Sequence, residues 1–338
     1  MSAEALPLQT HRSVSKPPIY QRFGRVFLAY GILIALLLVY QAKSPQFEER
    51  EWRSIANSGA TLTIAGMGQT LAVLTGGIDL SVGPMVALSN CIIATTGDEE
   101  NPDRGLAIGI TLALVVGALG GFINGILIAY GRLQPIIVTL ATGYIYGGIA
   151  LRVRPEPGGF VPFDRTDLLT DLQWDKVPRA LFVLLGLLIF WFLFKRTRLC
   201  TNIYAIGSSA DAAYMSGVDV VRTKILTYTL VGFFAALAGV FLTAQTASGD
   251  ANAGLIFTLN SIAAVVIGGA SLAGGSGTFI GTIAGAYVLA LIPSVLFFFD
   301  FYRSRPLSQD LYKGSILLAA VAVGAIGILR QRNRLDRL

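Results

Sequence analysis

The chain alternates long apolar runs, free of Asp, Glu, Lys and Arg, with short polar segments. A run of roughly 20 such residues forms a helix long enough to cross about 30 Å of hydrocarbon. The longer runs lie at residues 26–42, 55–74, 105–130, 135–151, 180–194, 225–247, 255–274 and 277–299. Two shorter runs, 80–96 and 314–329, fit either full crossings or half helices. The pattern predicts an all-α integral membrane protein of about ten transmembrane helices.

Composition agrees with a membrane location. Hydrophobic residues make up 54% of the 338 positions and charged residues only 14%. A chain this poor in charge cannot cover one water-soluble globule with a polar surface. We therefore expect membrane lipid to be the main solvent of the chain.

Basic residues predict the orientation, because Lys and Arg accumulate on the cytoplasmic side. With ten crossings and a cytoplasmic N-terminus, more than half of the 26 Lys and Arg residues fall on that side, and so do both termini. We interpret residues 1–22 as a cytoplasmic tail without fixed structure, 23–330 as the transmembrane domain and 331–338 as a basic cytoplasmic tail. The net charge of +6 therefore reflects topology, and we predict no nucleic-acid partner.

Two glycine-rich segments interrupt the apolar pattern at the same predicted membrane face, AVLTGGIDLSVG at 72–83 and AVVIGGASLAGG at 264–275. Six of their twelve aligned positions agree, which indicates an internal repeat with two helix breaks. The break glycines are Gly76, Gly77, Gly83, Gly268, Gly269, Gly274 and Gly275. Unwound backbone at membrane depth is tolerated where it lines a cavity or is buried in protein. The GxxxGxxxG spacings at 117–125 and 277–285 instead predict closely packed helices.

Asp79 is a carboxylate placed between two apolar runs. An ionised acid at membrane depth costs several kcal/mol unless it is paired, capped or hydrated. It follows Gly76-Gly77 and precedes a helix that should begin near Ser81. We predict that Asp79 is buried and that its carboxylate accepts a backbone N–H at this helix start. Direct contact with a transported substrate is the alternative.

Neutral polar side chains are the other chemistry inside the predicted helices. The candidate pathway residues are Gln69, Asp79, Ser81, Asn90, Asn124, Thr139, Gln245 and Asn260. Amides and hydroxyls suit an uncharged polyol better than an ion, although each could equally link two helices. Proton- and sodium-coupled carriers usually keep acidic residues or His within their helices, so we expect the energy for transport to come from elsewhere.

The residues needed for catalysis or metal binding are scarce. One His and two Cys offer neither a metal-binding spacing nor a nucleophile with a base, so a membrane-embedded enzyme is a weak alternative. The dipeptide Gly-Lys does not occur, so the sequence has no phosphate-binding loop of the G-x-x-x-x-G-K type. We predict no metal and no cofactor in this chain. An ATPase that drives transport would be a separate polypeptide that binds the ATP and Mg.

The longest predicted cytoplasmic loop spans residues 195–224 and could receive such a partner. Ser208 or Ser209 can cap a short helix that Gly217 can end. Small Ala212-Ala213 and an exposed Met215 would suit a groove on the partner. The candidate coupling residues are Ser208, Ser209, Asp211, Ala212, Ala213, Met215, Ser216 and Gly217.

Four segments resemble the ribose/xylose/arabinose/galactoside-type permeases of bacterial ABC importers: TGGIDLSVG (75–83), NGILIAYGRLQPIIVTLAT (124–142), YAIGSSADAAYMSGVDVVRTK (204–224) and 252–282. The resemblance implies a permease of the bacterial inner membrane that works by alternating access with a second, identical or different, permease chain. It also implies a cytoplasmic ABC ATPase and a periplasmic or surface-tethered sugar-binding protein. The segment 208–217 would be the coupling helix.

Some positions depart from that family pattern. Pro84 stands where the family usually has Ser, and Thr258 and Asn260 stand where an acidic pair is usual. These changes leave other cargoes open, namely a nucleoside, a branched-chain amino acid or a signalling sugar. An ATP-independent carrier or channel is the alternative from another class.

Overall fold

The structure is a computed structural model that describes residues 19–44, 49–173 and 177–299, together with 311, 312, 314, 315 and 318. Residues 1–18 of the predicted N-terminal tail, the predicted C-terminal tail and most of the predicted helix at 314–329 lie outside these residues. The predicted tail ends too late, because residues 19–22 already belong to the first helix. The regular secondary structure of the described part is helical apart from one short antiparallel strand pair, β1 (Leu172–Gln173) and β2 (Val177–Pro178).

Twelve helices lie within the described residues up to position 299. They are α1 (Ile19–Lys43), α2 (Glu49–Leu74), α3 (Val82–Thr95), α4 (Pro102–Ala129), α5 (Pro135–Val153), α6 (Phe163–Thr170), α7 (Ala180–Phe194), α8 (Arg198–Ser208), α9 (Ala210–Met215), α10 (Val220–Thr246), α11 (Ile256–Ile267) and α12 (Phe279–Leu296).

The predicted apolar runs fall on helices, but fewer of these helices could cross a membrane alone than predicted. Five are long and apolar enough, namely α1, α4, α5, α10 and α12. The pair α7 and α8 adds a sixth if it counts as one span bent by 78°. The apolar helices α3 and α11 are too short to cross. The predicted count of about ten is therefore not confirmed by the described residues.

Helix α2 occupies the centre of the bundle and packs against α10, α12, α11 and α7. Its residues are buried without interruption from Gly59 to Leu74. Tyr287 of α12 covers Gly59, and its hydroxyl donates to the Ala56 carbonyl at 2.8 Å. Because neighbouring helices shield α2 from lipid, it can carry polar residues that a lipid-facing helix could not.

The predicted glycine seam on α4 packs directly on α10. A Cβ at Gly121 would overlap the Tyr228 carbonyl oxygen, and one at Gly125 would lie 2.7 Å from the Ile225 Cα. Membrane helices gain packing energy when glycine lets two backbones approach in this way. The packing prediction for the spacing at 117–125 is confirmed.

Both breaks lie at the same end of the bundle, as predicted. Helix α2 is about 39 Å long and runs from the end that carries α6 to the end that carries α9. At this second end, which we call the α9 end, the Gly275 N–H donates to the Leu74 carbonyl at 3.0 Å. The internal repeat itself stays a prediction.

Candidate functional site

The first break, residues 75–81, is a tight loop closed around a buried carboxylate. Asp79 is 1% exposed, and its carboxylate accepts the Ser81 backbone N–H at 2.8 Å and the Ser81 hydroxyl at 2.6 Å. This confirms the predicted geometry of Asp79. Because α3 begins at Val82, Asp79 bonds to the turn that precedes the helix and does not cap the helix itself. Its role in transport stays a prediction.

Three helices hold this break through candidate pathway residues. The Asn124 amide of α4 donates to the Ser81 hydroxyl at 3.0 Å. The Thr139 hydroxyl of α5 accepts the Leu80 N–H at 3.0 Å. The Gln69 amide of α2, in the orientation that satisfies both its atoms, accepts the Asp79 N–H at 3.3 Å and donates to the Asp79 carbonyl at 3.0 Å. Gln69, Ser81, Asn124 and Thr139 are thereby brought together around Asp79.

Two polar atoms near this cluster lack a partner within the described residues. They are the Asn124 Oδ1 and the hydroxyl of Tyr228, a buried residue of α10. A Cβ at Gly77 would overlap that hydroxyl, so the first break lies directly on Tyr228. Sequence reasoning missed Tyr228, because a tyrosine in an apolar run gives no local sign of what it faces. An unpaired buried polar atom costs about 1–3 kcal/mol. If the break opened, the Asn124 Oδ1 could accept a hydrogen bond and the Tyr228 hydroxyl could donate or accept one.

Asn90 lies apart from this cluster and is fully hydrogen-bonded. Its amide donates to the Thr243 hydroxyl at 2.9 Å and the Ser248 carbonyl at 2.8 Å, and it accepts the Asp250 N–H at 2.8 Å. These bonds tie α3 to the end of α10 and the loop that follows it. The geometry favours the helix-linking alternative for Asn90. Asn260 lies on α11, is partly buried and does not join the cluster either.

Gln245 borders a cavity of about 580 Å³ at the end of the bundle opposite α9. The lining residues are Arg53, Ser54, Asn57, Ser58, Thr166, Asp167, Thr170, Ala244, Gln245, Thr246 and Ala247. The Gln245 amide donates to the Asn57 carbonyl and accepts the Thr61 hydroxyl at 2.7 Å. Sequence reasoning found Gln245 but missed the α6 hydroxyls, because α6 is too polar and short to stand out from a loop.

The seven break glycines have different roles. Gly76, Gly269, Gly274 and Gly275 have positive φ, a conformation that side-chain-bearing residues rarely adopt. Gly77 and Gly268 have ordinary φ values and instead allow close approach, Gly77 to Tyr228 and Gly268 to Gly281. Gly83 is wrongly predicted as a break residue, because it lies within α3, where it packs against Gly254.

The end of α8 touches both breaks. A Cβ at Gly207 would overlap the Leu74 carbonyl, and one at Gly274 would lie 2.8 Å from both the Gly207 carbonyl oxygen and the Gly76 nitrogen. The Tyr204 hydroxyl donates to the Gly277 carbonyl at 2.7 Å. Any displacement of α8 must therefore displace the two breaks or separate these contacts.

The short helix predicted after residue 208 is present as α9. The Ser209 hydroxyl accepts the Ala212 N–H at 3.3 Å, and Gly217, with φ +83°, follows the last turn. Tyr214 and Met215 are 70% and 84% exposed. Asp211, Ala212 and Ser216 are exposed as well.

Two coupling residues are corrected by the structure. Ala213 is only 5% exposed, because a six-residue helix that packs on α8 and α10 turns one of its small residues inward. It therefore cannot form part of a free docking face. Ser208 belongs to α8, where its hydroxyl donates to the Tyr204 carbonyl at 2.9 Å, and it does not cap α9.

Metal and disulfide chemistry is not apparent in the described residues. No group of three or more His, Cys, Asp or Glu is close enough there to hold a metal ion. Cys91 and Cys200 are buried free thiols. Nor does Asp79 take part in any ion pair found in this part of the chain, so hydrogen bonds compensate its burial.

A bundle of membrane-length helices with two internal breaks has the architecture of a multi-pass membrane permease. Residues 53–323 match a family model described as the permease component of branched-chain amino acid transport systems. The chain belongs to this family of ABC importer permeases, whose members include sugar permeases. No solved structure matches the chain.

Three named relatives are similar over most of their length. The ribose import permease protein of Escherichia coli K12 is 33% identical over 303 residues, which cover 86% of this chain and 91% of the relative. The D-allose transport system permease protein of the same strain is 32% identical over 320 residues, 94% of this chain and 96% of the relative. The autoinducer 2 import system permease protein of Photorhabdus temperata is 32% identical over 326 residues, with the same shares.

Proposed function

We propose that this chain is the transmembrane permease subunit of an ABC importer that carries a monosaccharide. The observation that carries the proposal is the similarity to ribose and allose import permeases over about nine tenths of their length. The neutral amides and hydroxyls inside the bundle agree with an uncharged, polyhydroxylated cargo.

The proposed mechanism is alternating access driven by a partner. A cytoplasmic ABC ATPase binds ATP and Mg, closes, and displaces α9 of each of two permease chains. Since the end of α8 contacts both breaks, the movement would reach Gly76 and Gly274 and open the path between the two chains inward. A periplasmic or surface-tethered binding protein delivers the sugar at the opposite end. The α9 end and both termini then face the cytoplasm.

Two further cargoes have an observation in their favour. The family model is described by branched-chain amino acid transport, and one relative imports the signalling molecule autoinducer 2. Apart from Asp79, whose carboxylate is already bonded to Ser81, the side chains described around the first break are neutral and none is cationic. They argue against a zwitterion, which would need a charged partner at each end. A signalling sugar agrees with the same residues.

Reconstitution tests this function. The permease is placed in proteoliposomes with its binding protein, either with or without its ATPase. Uptake of labelled D-ribose, D-allose and L-leucine is then measured with and without ATP on the side of the membrane that carries the ATPase. We expect ATP-dependent uptake of a sugar and none of leucine. Equal uptake without the ATPase would indicate a carrier or channel, and ATP-dependent leucine uptake would indicate the amino acid alternative.

A further inference from the structure

The cavity at the end opposite α9 stands out in a largely apolar protein because its lining is mainly polar. Helices α2, α6 and α10 each contribute to it, through Ser54 and Ser58, Thr166 and Thr170, and Gln245 respectively. A volume of about 580 Å³ falls in the range of small-molecule sites, roughly 300–1,000 Å³. The cavity is lined by residues of a single chain.

Hydrogen bonds fix two amides in the cavity wall. The Asn57 amide nitrogen donates to the Thr170 carbonyl at 2.7 Å, and Gln245 is held by Thr61 and the Asn57 carbonyl. The Asn57 Oδ1 is buried without a partner among the described residues. The wall thus combines fixed amides with the hydroxyls of Ser54, Ser58 and Thr170, and amides and hydroxyls are the kinds of group that bind sugar hydroxyls.

The charges in the wall do not favour an anion. The lining residues include one cation, Arg53, which donates to the Asp171 carboxylate at 2.8 Å, and one anion, Asp167. The lining therefore has no excess positive charge for the phosphate of a phosphorylated sugar, whereas a neutral hydroxyl could donate to the Asp167 carboxylate.

We propose that this cavity is a binding site for a neutral monosaccharide, in which Asn57, Gln245 and Thr170 take part. This proposal rests on the proposed import function. It gives the position at which each permease chain would hold its cargo before the cargo enters the path between the two chains. It predicts two equivalent sugar sites in a homodimer.

Protection of an engineered thiol tests the site. Ser54 is exposed in the cavity, and both native thiols are buried, so Ser54→Cys is the thiol that a maleimide reaches first. Purified permease in lipid nanodiscs is labelled with and without D-ribose, D-allose and ribose 5-phosphate. We expect saturating ribose or allose to slow labelling by about tenfold, which corresponds to about 1.4 kcal/mol, and the phosphate to have no effect.

Two controls separate binding from general effects. Glu99→Cys lies exposed in the turn between α3 and α4 and outside the cavity, so sugar should leave its labelling rate unchanged. In the Ser54→Cys background, Gln245→Leu should weaken the protection. Thr170→Val should weaken it too and keeps the shape of the side chain, so it remains informative if Gln245→Leu folds poorly.

The outcomes distinguish a failure of this site from a failure of the proposed import function. Unchanged labelling of Ser54→Cys in every sugar, while the complete importer still takes up that sugar with ATP, would overturn the site and leave the import function standing. Equal slowing of Ser54→Cys and Glu99→Cys would overturn the site as well. If the complete importer takes up no sugar at all, the import function itself is wrong.

Discussion

Asp79 is the charged residue of the first break, and its environment explains how a carboxylate survives there. The Ser81 N–H and hydroxyl both donate to it at less than 3 Å, and Asn124 in turn donates to Ser81. Hydrogen bonds to a charged group contribute about 1.5–3 kcal/mol each, enough to offset much of the cost of burial. The residue that sequence reasoning singled out therefore holds the break closed in this conformation.

Asp79→Asn should destabilise the protein before it alters sugar preference. The amide oxygen can still accept the Ser81 N–H, but the charge that strengthens both bonds is lost, so we expect a loss of about 1–2 kcal/mol. Asp98 makes a similar bond to the Glu100 N–H at 2.9 Å but in an exposed turn, so Asp98→Asn is the matched control. Thermal unfolding in detergent measures both. Equal melting temperatures for Asp79→Asn and the unmodified chain would contradict this view of Asp79.

Ala247 is a second residue whose backbone predicts the effect of a substitution. It follows α10 with φ +47°, which costs an L-residue about 1–2 kcal/mol relative to glycine. Ala247→Gly should therefore raise the melting temperature, with a net gain of about 0.5–1 kcal/mol after the entropy of glycine is included. Ala244→Gly, in the last helical turn, should instead lower it by a similar amount. A fall for both variants would show that no strain is stored at Ala247.

At the scale of elements, the sequence predicts what local chemistry determines. Capping and positive φ depend on a few adjacent residues, so they can be predicted from the sequence. Examples are the cap at Ser209, the helix end at Gly217 and the break at Gly268 to Gly275. The burial of Ala213 on the inward face of α9 could not be predicted from the sequence, because it depends on where α8 and α10 lie. The hydroxyls of α6 were missed for the same reason, because only the fold brings them opposite Gln245.

The burial of Ala213 changes which variant tests docking of the ATPase. Trp at exposed Ala212 should leave the membrane fold intact and lower the affinity for the proposed ATPase by about tenfold or more through steric exclusion. Trp at buried Ala213 should lower the melting temperature instead, because it overpacks the contact with α8 and α10. Co-purification of the ATPase and thermal unfolding measure the two effects. Normal co-purification with Ala212→Trp would place the interface elsewhere.

At the scale of the whole molecule, α8 joins the proposed docking helix to both breaks. Helix α9 packs on α8, Gly207 at the end of α8 lies against Leu74, and Tyr204 bonds to Gly277. The two breaks also contact each other through Gly274 and Gly76. Since interfaces of this kind tend to switch between discrete arrangements, a shift of α9 should move both breaks together.

Tyr204→Phe tests this connection with the smallest change that the chain offers. The ring stays, and the bond to the Gly277 carbonyl, worth about 0.5–1.5 kcal/mol, is lost. If α8 transmits movement to the second break through this bond, the ATPase should still bind and hydrolyse ATP, but fewer sugar molecules should be taken up per ATP.

Tyr214→Phe, on the exposed face of α9, is the matched control and should keep the ratio of the unmodified chain. The ratio is measured in proteoliposomes from labelled sugar uptake and phosphate release. An unchanged ratio for Tyr204→Phe, with uptake at the unmodified rate, would mean that the bond stabilises the α9 end but carries no movement to the second break.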